Sequence, residues 1–156
     1  MLSAFILWFM FLASSKAHIE VVNLEQLNSK MIQPDNDTLY VVNFWATWCK
    51  PCVAEMPYFE KANTDFASQK VKVIFVSLNY AREKETVEKF IRNKKIVSPC
   101  LLLDAGTPNT WIDKIEPEWS GSIPSTIMYK RGKKVFFREG EFTQTELDSI
   151  IQTKNK

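Results

Sequence analysis

A short apolar run, Leu39 to Phe44, stops just before Trp48-Cys49-Lys50-Pro51-Cys52, and beyond it Phe59, Ala62 and Phe66 recur at helical spacing. The run is dense in β-branched and aromatic side chains, which marks a strand buried on both faces. Pro51 suits the first turn of a helix, where a backbone N–H has no intrahelical partner to lose. A strand with no polar face needs cover above and below, and the rest of the chain supplies it. Ile19 to Val22 reads as a short strand, and Leu24, Leu27 and Met31 as one helix face ended by Pro34 and Asp35-Asn36-Asp37. Val71 to Ser77 repeats the buried-strand pattern. Glu83 to Lys95 reads as an exposed helix striped by Val87, Phe90 and Ile91, with Glu85–Lys89 and Glu88–Arg92 as i,i+4 pairs. Cys100 to Leu103 is a short strand, and Ser125 to Lys130 with Lys134 to Arg138 form a hairpin across Arg131-Gly132-Lys133. The last helix opens on Thr143 and Glu146 at capping-box spacing and buries Leu147, Ile150 and Ile151. Strands alternating with helices, then a hairpin and a helix, specify an α/β protein with a central mixed sheet flanked by helices.

The 156 residues suffice for one domain with one sizeable core. Residues 1–17 stand apart from it. Phe5 to Ala13 is almost continuously apolar, and Ser15-Lys16-Ala17 offers small residues at a cleavage point, as in a secretory signal peptide. No Lys or Arg precedes the apolar stretch, which also falls short of the roughly 20 residues of a membrane-spanning helix. A signal peptide or an N-terminal anchor is expected over 1–17 (a buried N-terminal helix is the other reading), with the folded domain over 18–156. The protein is then periplasmic or otherwise exported. A formal net charge of +2 gives no electrostatic reason for a nucleic-acid partner. Lys130, Arg131, Lys133 and Lys134 around Gly132 read as a solvated hairpin tip.

Three cysteines are too few for a disulfide scaffold, and one distant imidazole, His18, makes a Cys/His zinc site a poor reading. No metal and no cofactor is expected. Cys49 falls just before the helix, where unpaired N–H groups and the helix dipole favour an anion. That setting lowers a thiol's pKa and supplies the thiolate that attacks a disulfide, and Lys50 adds charge in the same direction. Cys52, inside the first turn, is placed to resolve the mixed disulfide on Cys49. Half of a metal site and an inert structural disulfide are the competing readings. Glu55 lies three residues beyond Cys52 on the same side of the helix and is read as a carboxylate that exchanges a proton with it, or as a first-turn acid favoured by the dipole. Trp45 reads as core, and Trp48 as a shield over the dithiol and an apolar contact for substrate. Cys100 reads as a buried, inert thiol, with a regulatory disulfide to Cys49 or Cys52 as the alternative. Trp111 and Trp119 read as core more than as the lining of a groove.

The run Asn43-Phe44-Trp45-Ala46-Thr47-Trp48-Cys49-Lys50-Pro51-Cys52, with Glu55, Met56 and Pro57 after it, resembles the thioredoxin superfamily. Within it the run is most similar to the exported TlpA/ResA-like branch of thiol–disulfide oxidoreductases. The resemblance implies a thioredoxin fold over about residues 19–152, with an extra strand–helix insertion, most of it Glu83 to Leu103, between the helix of the two cysteines and the cis-proline strand. Pro57 matches the proline that kinks the active-site helix. Gly121-Ser122-Ile123-Pro124-Ser125-Thr126 matches the cis-proline segment; from the residues alone Pro124 is only a turn proline before a strand. By resemblance, a cis Pro124 abuts the dithiol and blocks metal binding there, and the Ile123 backbone pairs with an extended substrate. Trp48, Pro51, Ile123 and Pro124 are thus the expected substrate-contact residues. Asn43 departs from thioredoxins proper, which carry a buried aspartate at that position. It cannot titrate, and its expected state is a polar residue satisfied by backbone bonds.

The function so implied is a disulfide reductase acting on exported proteins, apocytochrome c cysteines among them, with a membrane-bound electron donor to re-reduce it. A monomer is expected. A net oxidant or isomerase is the second reading, and a non-catalytic thioredoxin-fold binding module the third.

Overall fold

In the computed structural model, which describes residues 19–156, the elements come in the predicted order. β1 (Glu20–Val22) leads into α1 (Leu24–Met31), whose first turn is closed by reciprocal hydrogen bonds between Asn23 and Gln26. β2 (Leu39–Trp45) is buried at every residue and runs into α2 (Lys50–Asp65). Next come β3 (Val71–Ser77), α3 (Lys84–Lys94), β4 (Cys100–Leu103) and the single turn α4 (Ile112–Ile115). The hairpin β5 (Ser125–Lys130) and β6 (Lys133–Glu139) precedes α5 (Gln144–Lys154), which opens on the expected Thr143–Glu146 capping box. The proposed leader, 1–17, lies outside the described residues. Among the described residues no helix is long and apolar enough to cross a membrane.

The six strands form one sheet in the order β1-β4-β3-β2-β5-β6. β2 is its centre, parallel to β3 and antiparallel to β5, so the mixed sheet is as expected. The insertion places β4 between β1 and β3, parallel to both. Period-two alternation along β2 divides the core. Leu39, Val41 and Trp45 face Met56, Phe59 and Ala62 of α2 and Leu147 and Ile151 of α5. Tyr40, Val42 and Phe44 join Leu27 and Met31 of α1 and Trp111, Ile112 and Ile115 around α4. Phe59 is central to the first layer, edge-on to both Phe75 and Phe142 at 6.1 Å. Truncating so enclosed a ring to alanine costs about 3–5 kcal/mol. By the same alternation Asn43 belongs to the α2 side, a polar residue in an apolar row.

One local expectation is corrected. The hairpin turn is two residues, Arg131 and Gly132, both with positive φ (51° and 71°), and Lys133 already pairs with Lys130. Two left-handed residues in succession give the turn whose twist matches that of the flanking strands, so a third loop residue is unnecessary. The tip is solvent-exposed at Arg131, Lys133 and Lys134, as expected, and two of its basic residues also hold ion pairs. Arg131 pairs with Asp37 at 2.8 Å, and Lys134 pairs with the buried Glu116.

Candidate active site

The cysteine turn is held by a side chain two residues beyond the end of β3. Asn79 accepts the Thr47 N–H at 3.0 Å and donates to the Thr47 hydroxyl at 2.9 Å; its amide also reaches Glu83 at 3.4 Å. Those bonds fix the loop from Ala46 to Trp48, and the Cys49 N–H then donates to Ala46 C=O at 3.1 Å. Cys49 is the N-cap of α2, with extended backbone, and Pro51 occupies the first turn. The Cys52 N–H points at the Cys49 sulfur from 3.3 Å. A thiolate on Cys49 is therefore met by a backbone donor as well as by the positive end of a 16-residue helix. Cys49 and Cys52 are joined as a disulfide, Cα to Cα 5.3 Å, so the fold brings them within bonding range. Cys49 retains 5% exposure and Cys52 none, which makes Cys49 the sulfur a partner reaches first.

The segment before β5 closes over this pair. Ile123–Pro124 is a cis peptide, and the Ile123 carbonyl oxygen lies 3.8 Å from the Cys49 sulfur. Pro124 is buried and Ile123 half-buried. Glu139 at the end of β6 anchors the segment, accepting both the N–H and the hydroxyl of Ser120 at 2.7 Å. The Trp119 indole donates to Ser122 C=O at 2.8 Å, and Gly140 N–H to Pro124 C=O at 2.8 Å.

Trp48 is 66% exposed, a pose that suits a contact residue more than a shield. It borders a cleft of about 240 Å³ with Leu78, Tyr80, Leu103, Pro108 and Trp111. Trp45 is fully buried and packs against Phe90 of α3, tilted at 39° with ring centres 5.2 Å apart, as core. Trp111 and Trp119 are buried too, edge-on to one another at 5.7 Å. Lys50 is exposed beside Cys49, and Pro51 half-buried.

Beneath the cysteines lies a polar pocket. Glu55, 1% exposed, accepts the Asn43 side-chain N–H at 2.8 Å on one oxygen and the Phe142 backbone N–H at 2.8 Å on the other. Asn43 also donates to the Thr126 hydroxyl at 3.2 Å. Burial pushes the Glu55 carboxyl up to about 7, against the lowering effect of the two hydrogen bonds. Nearby Glu141 raises it further, and Arg138 opposes. Glu55 is thus no solvated first-turn acid; it is a buried carboxyl poised near neutrality. Asn43 corrects an expectation, since its amide is held by Glu55 and Thr126 side chains instead of backbone groups. The reason is position: along a central strand the backbone groups are already spent on β3 and β5.

Cys100 carries a free thiol, pushed up to about 12 by burial. The Trp45 indole lowers it without forming a full hydrogen bond, the Glu60 carboxylate raises it, and among the described residues the indole N–H has no other partner. The cysteines of the turn pair with each other and leave Cys100 out. Among the described residues no group of three or more His, Cys, Asp or Glu side chains is placed to hold a metal ion.

Three participants escape sequence reasoning. Asn79 lies 32 residues from Thr47, Thr126 lies 83 from Asn43, and Phe142 lies 87 from Glu55. No spacing rule reaches so far; only a polar residue inside a buried-strand pattern, Asn43, hints that a partner is needed.

Residues 14–137 match the model of the AhpC/TSA family. The chain is 33% identical over 131 residues to the thiol-disulfide oxidoreductase ResA of Bacillus subtilis, covering 82% of this chain and 69% of that one. It is 32% identical over 113 residues to ResA of Bacillus cereus, covering 71% of this chain and 60% of that one. The chain thus spans about 60% of the length of several curated relatives. In fold it is similar to a putative thiol:disulfide interchange protein DsbE from Chlorobium tepidum, with a TM-score of 0.65 and 17% identity over 83% of this chain and 85% of that one.

Proposed function

The chain belongs to the AhpC/TSA family of thioredoxin-like proteins, alongside the ResA oxidoreductases, and on that premise we propose that it exchanges disulfides through Cys49 and Cys52. The observation that carries the reading is the Cys49 sulfur itself: capped by the Cys52 N–H, bonded to Cys52, and 3.8 Å from the Ile123 carbonyl. In the reducing direction the Cys49 thiolate attacks one sulfur of a substrate disulfide, and the other leaves as a thiolate. Cys52 then loses its proton to Glu55 and attacks the Cys49 sulfur, releasing the second substrate thiolate. Two electrons have passed to the substrate, and the protein holds the Cys49–Cys52 disulfide. The substrate chain lies extended along Ile123–Pro124, with Trp48 and Pro51 at its flank. Substrates are exported disulfide proteins, apocytochrome c included, and a membrane-bound donor returns the dithiol. Residues 1–17 serve as signal or anchor for this export, which cell fractionation of the full-length chain tests.

The direction is tested by equilibrating the full chain with dithiothreitol and glutathione buffers. A potential near roughly −270 mV supports the reductase, and one near about −120 mV replaces it with a disulfide donor. Absence of any reversible couple leaves the binding-module reading instead.

A further inference from the structure

The pocket under the dithiol contains a polar atom that the reaction as written leaves idle. Asn43 places its Nδ2 between two acceptors, a Glu55 oxygen at 2.8 Å and the Thr126 hydroxyl at 3.2 Å, while its Oδ1 is buried without a hydrogen-bond partner among the described residues. This arrangement fits an ionised Glu55, because both carboxylate oxygens then face donors, Asn43 and Phe142. A proton added to Glu55 on the lone pair that accepts the Phe142 backbone N–H would meet a hydrogen that cannot move aside. On the lone pair facing Asn43 two hydrogens would also meet, but there the donor is a side-chain amide that can turn. Rotating the Asn43 amide by half a turn removes the conflict. Oδ1 replaces Nδ2 and accepts from the Glu55 O–H, and the Thr126 hydroxyl turns from acceptor to donor, which a hydroxyl does freely. One end of the amide is unpartnered in either orientation, so the two states have matching numbers of hydrogen bonds.

We propose that Asn43 is a positioning residue whose amide reverses each time Glu55 gains or loses its proton, with the Thr126 hydroxyl reversing in step. The inference rests on the role given to Glu55 above. Its consequence is a link between two parts of the site: Thr126 lies two residues beyond Pro124 on β5, so that strand is tied through the Asn43 amide to Glu55. The charged groups facing Glu55 are Glu141 before α5 and Arg138 on β6; the others in contact, Asn43, Thr126 and the Phe142 amide, carry no charge.

The test is an NMR titration of the oxidised full-length chain from pH 5 to 9, where the disulfide keeps Cys49 and Cys52 from titrating. The ¹³C shift of the Glu55 carboxyl reports its proton, and NOEs from the Asn43 side-chain amide to Thr126 report the orientation. The expected result is that these NOEs, present at pH 9, are lost at pH 5 with the Glu55 midpoint, and are absent at every pH in Glu55→Gln. NOEs that persist through the Glu55 midpoint overturn the proposal, as does a Glu55 carboxyl that does not titrate in this range. Disulfide exchange by the same preparation is assayed separately. Loss of exchange with the reversal intact refutes the proposed function alone, and a fixed amide in an active protein refutes the reversal alone.

Discussion

Cys49 and Cys100 present the same thiol to the same apolar layer, yet their surroundings are opposite. Cys49 sits where a strand has ended and a helix begins, with an N–H aimed at its sulfur from 3.3 Å. Cys100 sits at the start of an inserted strand, with no donor among the described residues that completes a hydrogen bond, and burial pushes its thiol up to about 12. A sulfur becomes a nucleophile when the fold supplies groups that stabilise its charge, and proximity to a core alone does the reverse.

The sharpest way to break that comparison is to exchange the roles. Cys49→Ser is expected to abolish disulfide exchange, whereas Cys100→Ser leaves the rate within about twofold; a large loss in Cys100→Ser would end the contrast. Cys52→Ser retains attack and accumulates a mixed disulfide on Cys49, visible by mass spectrometry after mixing with a disulfide substrate. Alkylation of the reduced chain with iodoacetamide at pH 7 should modify Cys49 faster than Cys100 by a factor on the order of 10³. Equal rates would show that the helix terminus does nothing for Cys49.

Glu55 extends the comparison to a carboxyl. Glu55→Gln should slow resolution by Cys52 about 100-fold while attack by Cys49 is unaltered, read by rapid-quench kinetics. Stability carries a second signature. The carboxyl rises from 4.5 unfolded to about 7 folded, so the fold favours its protonated form. That contribution is complete below pH 4.5 and is lost as the pH rises through 7, a decline of roughly 3 kcal/mol. Urea unfolding of the oxidised chain between pH 4.5 and 8 should show this slope, and Glu55→Gln should remove it. The smallest effect is at the rim. Trp48→Ala should change stability by no more than about 0.5 kcal/mol, since the ring is exposed, and act instead by raising KM for peptide disulfides severalfold.

Much of this was legible along the chain because the signals are local. Cap, proline and helical period lie within a dozen residues of Cys49, and Thr143 with Glu146 announces α5 in four. The hairpin was legible in place but not in length, since positive φ at Arg131 is a matter of strand twist and not of residue type. Asn43 was read wrongly for a related reason: a strand's pattern names its faces but not which helix residue stands opposite.

The sequence by itself determined the order of elements, the buried central strand and the pairing of Cys49 with Cys52 at a helix start, all consequences of short-range periodicity and helix-end chemistry. Tertiary structure alone decided that Ile123 meets Cys49 across 74 residues and that Glu55 is sealed between Asn43 and Phe142. It also decided that the Cys100 thiol is left out of the disulfide and pushed up by burial. Those outcomes depend on which groups lose water together, and desolvation is a property of the packed molecule, not of any stretch of the chain.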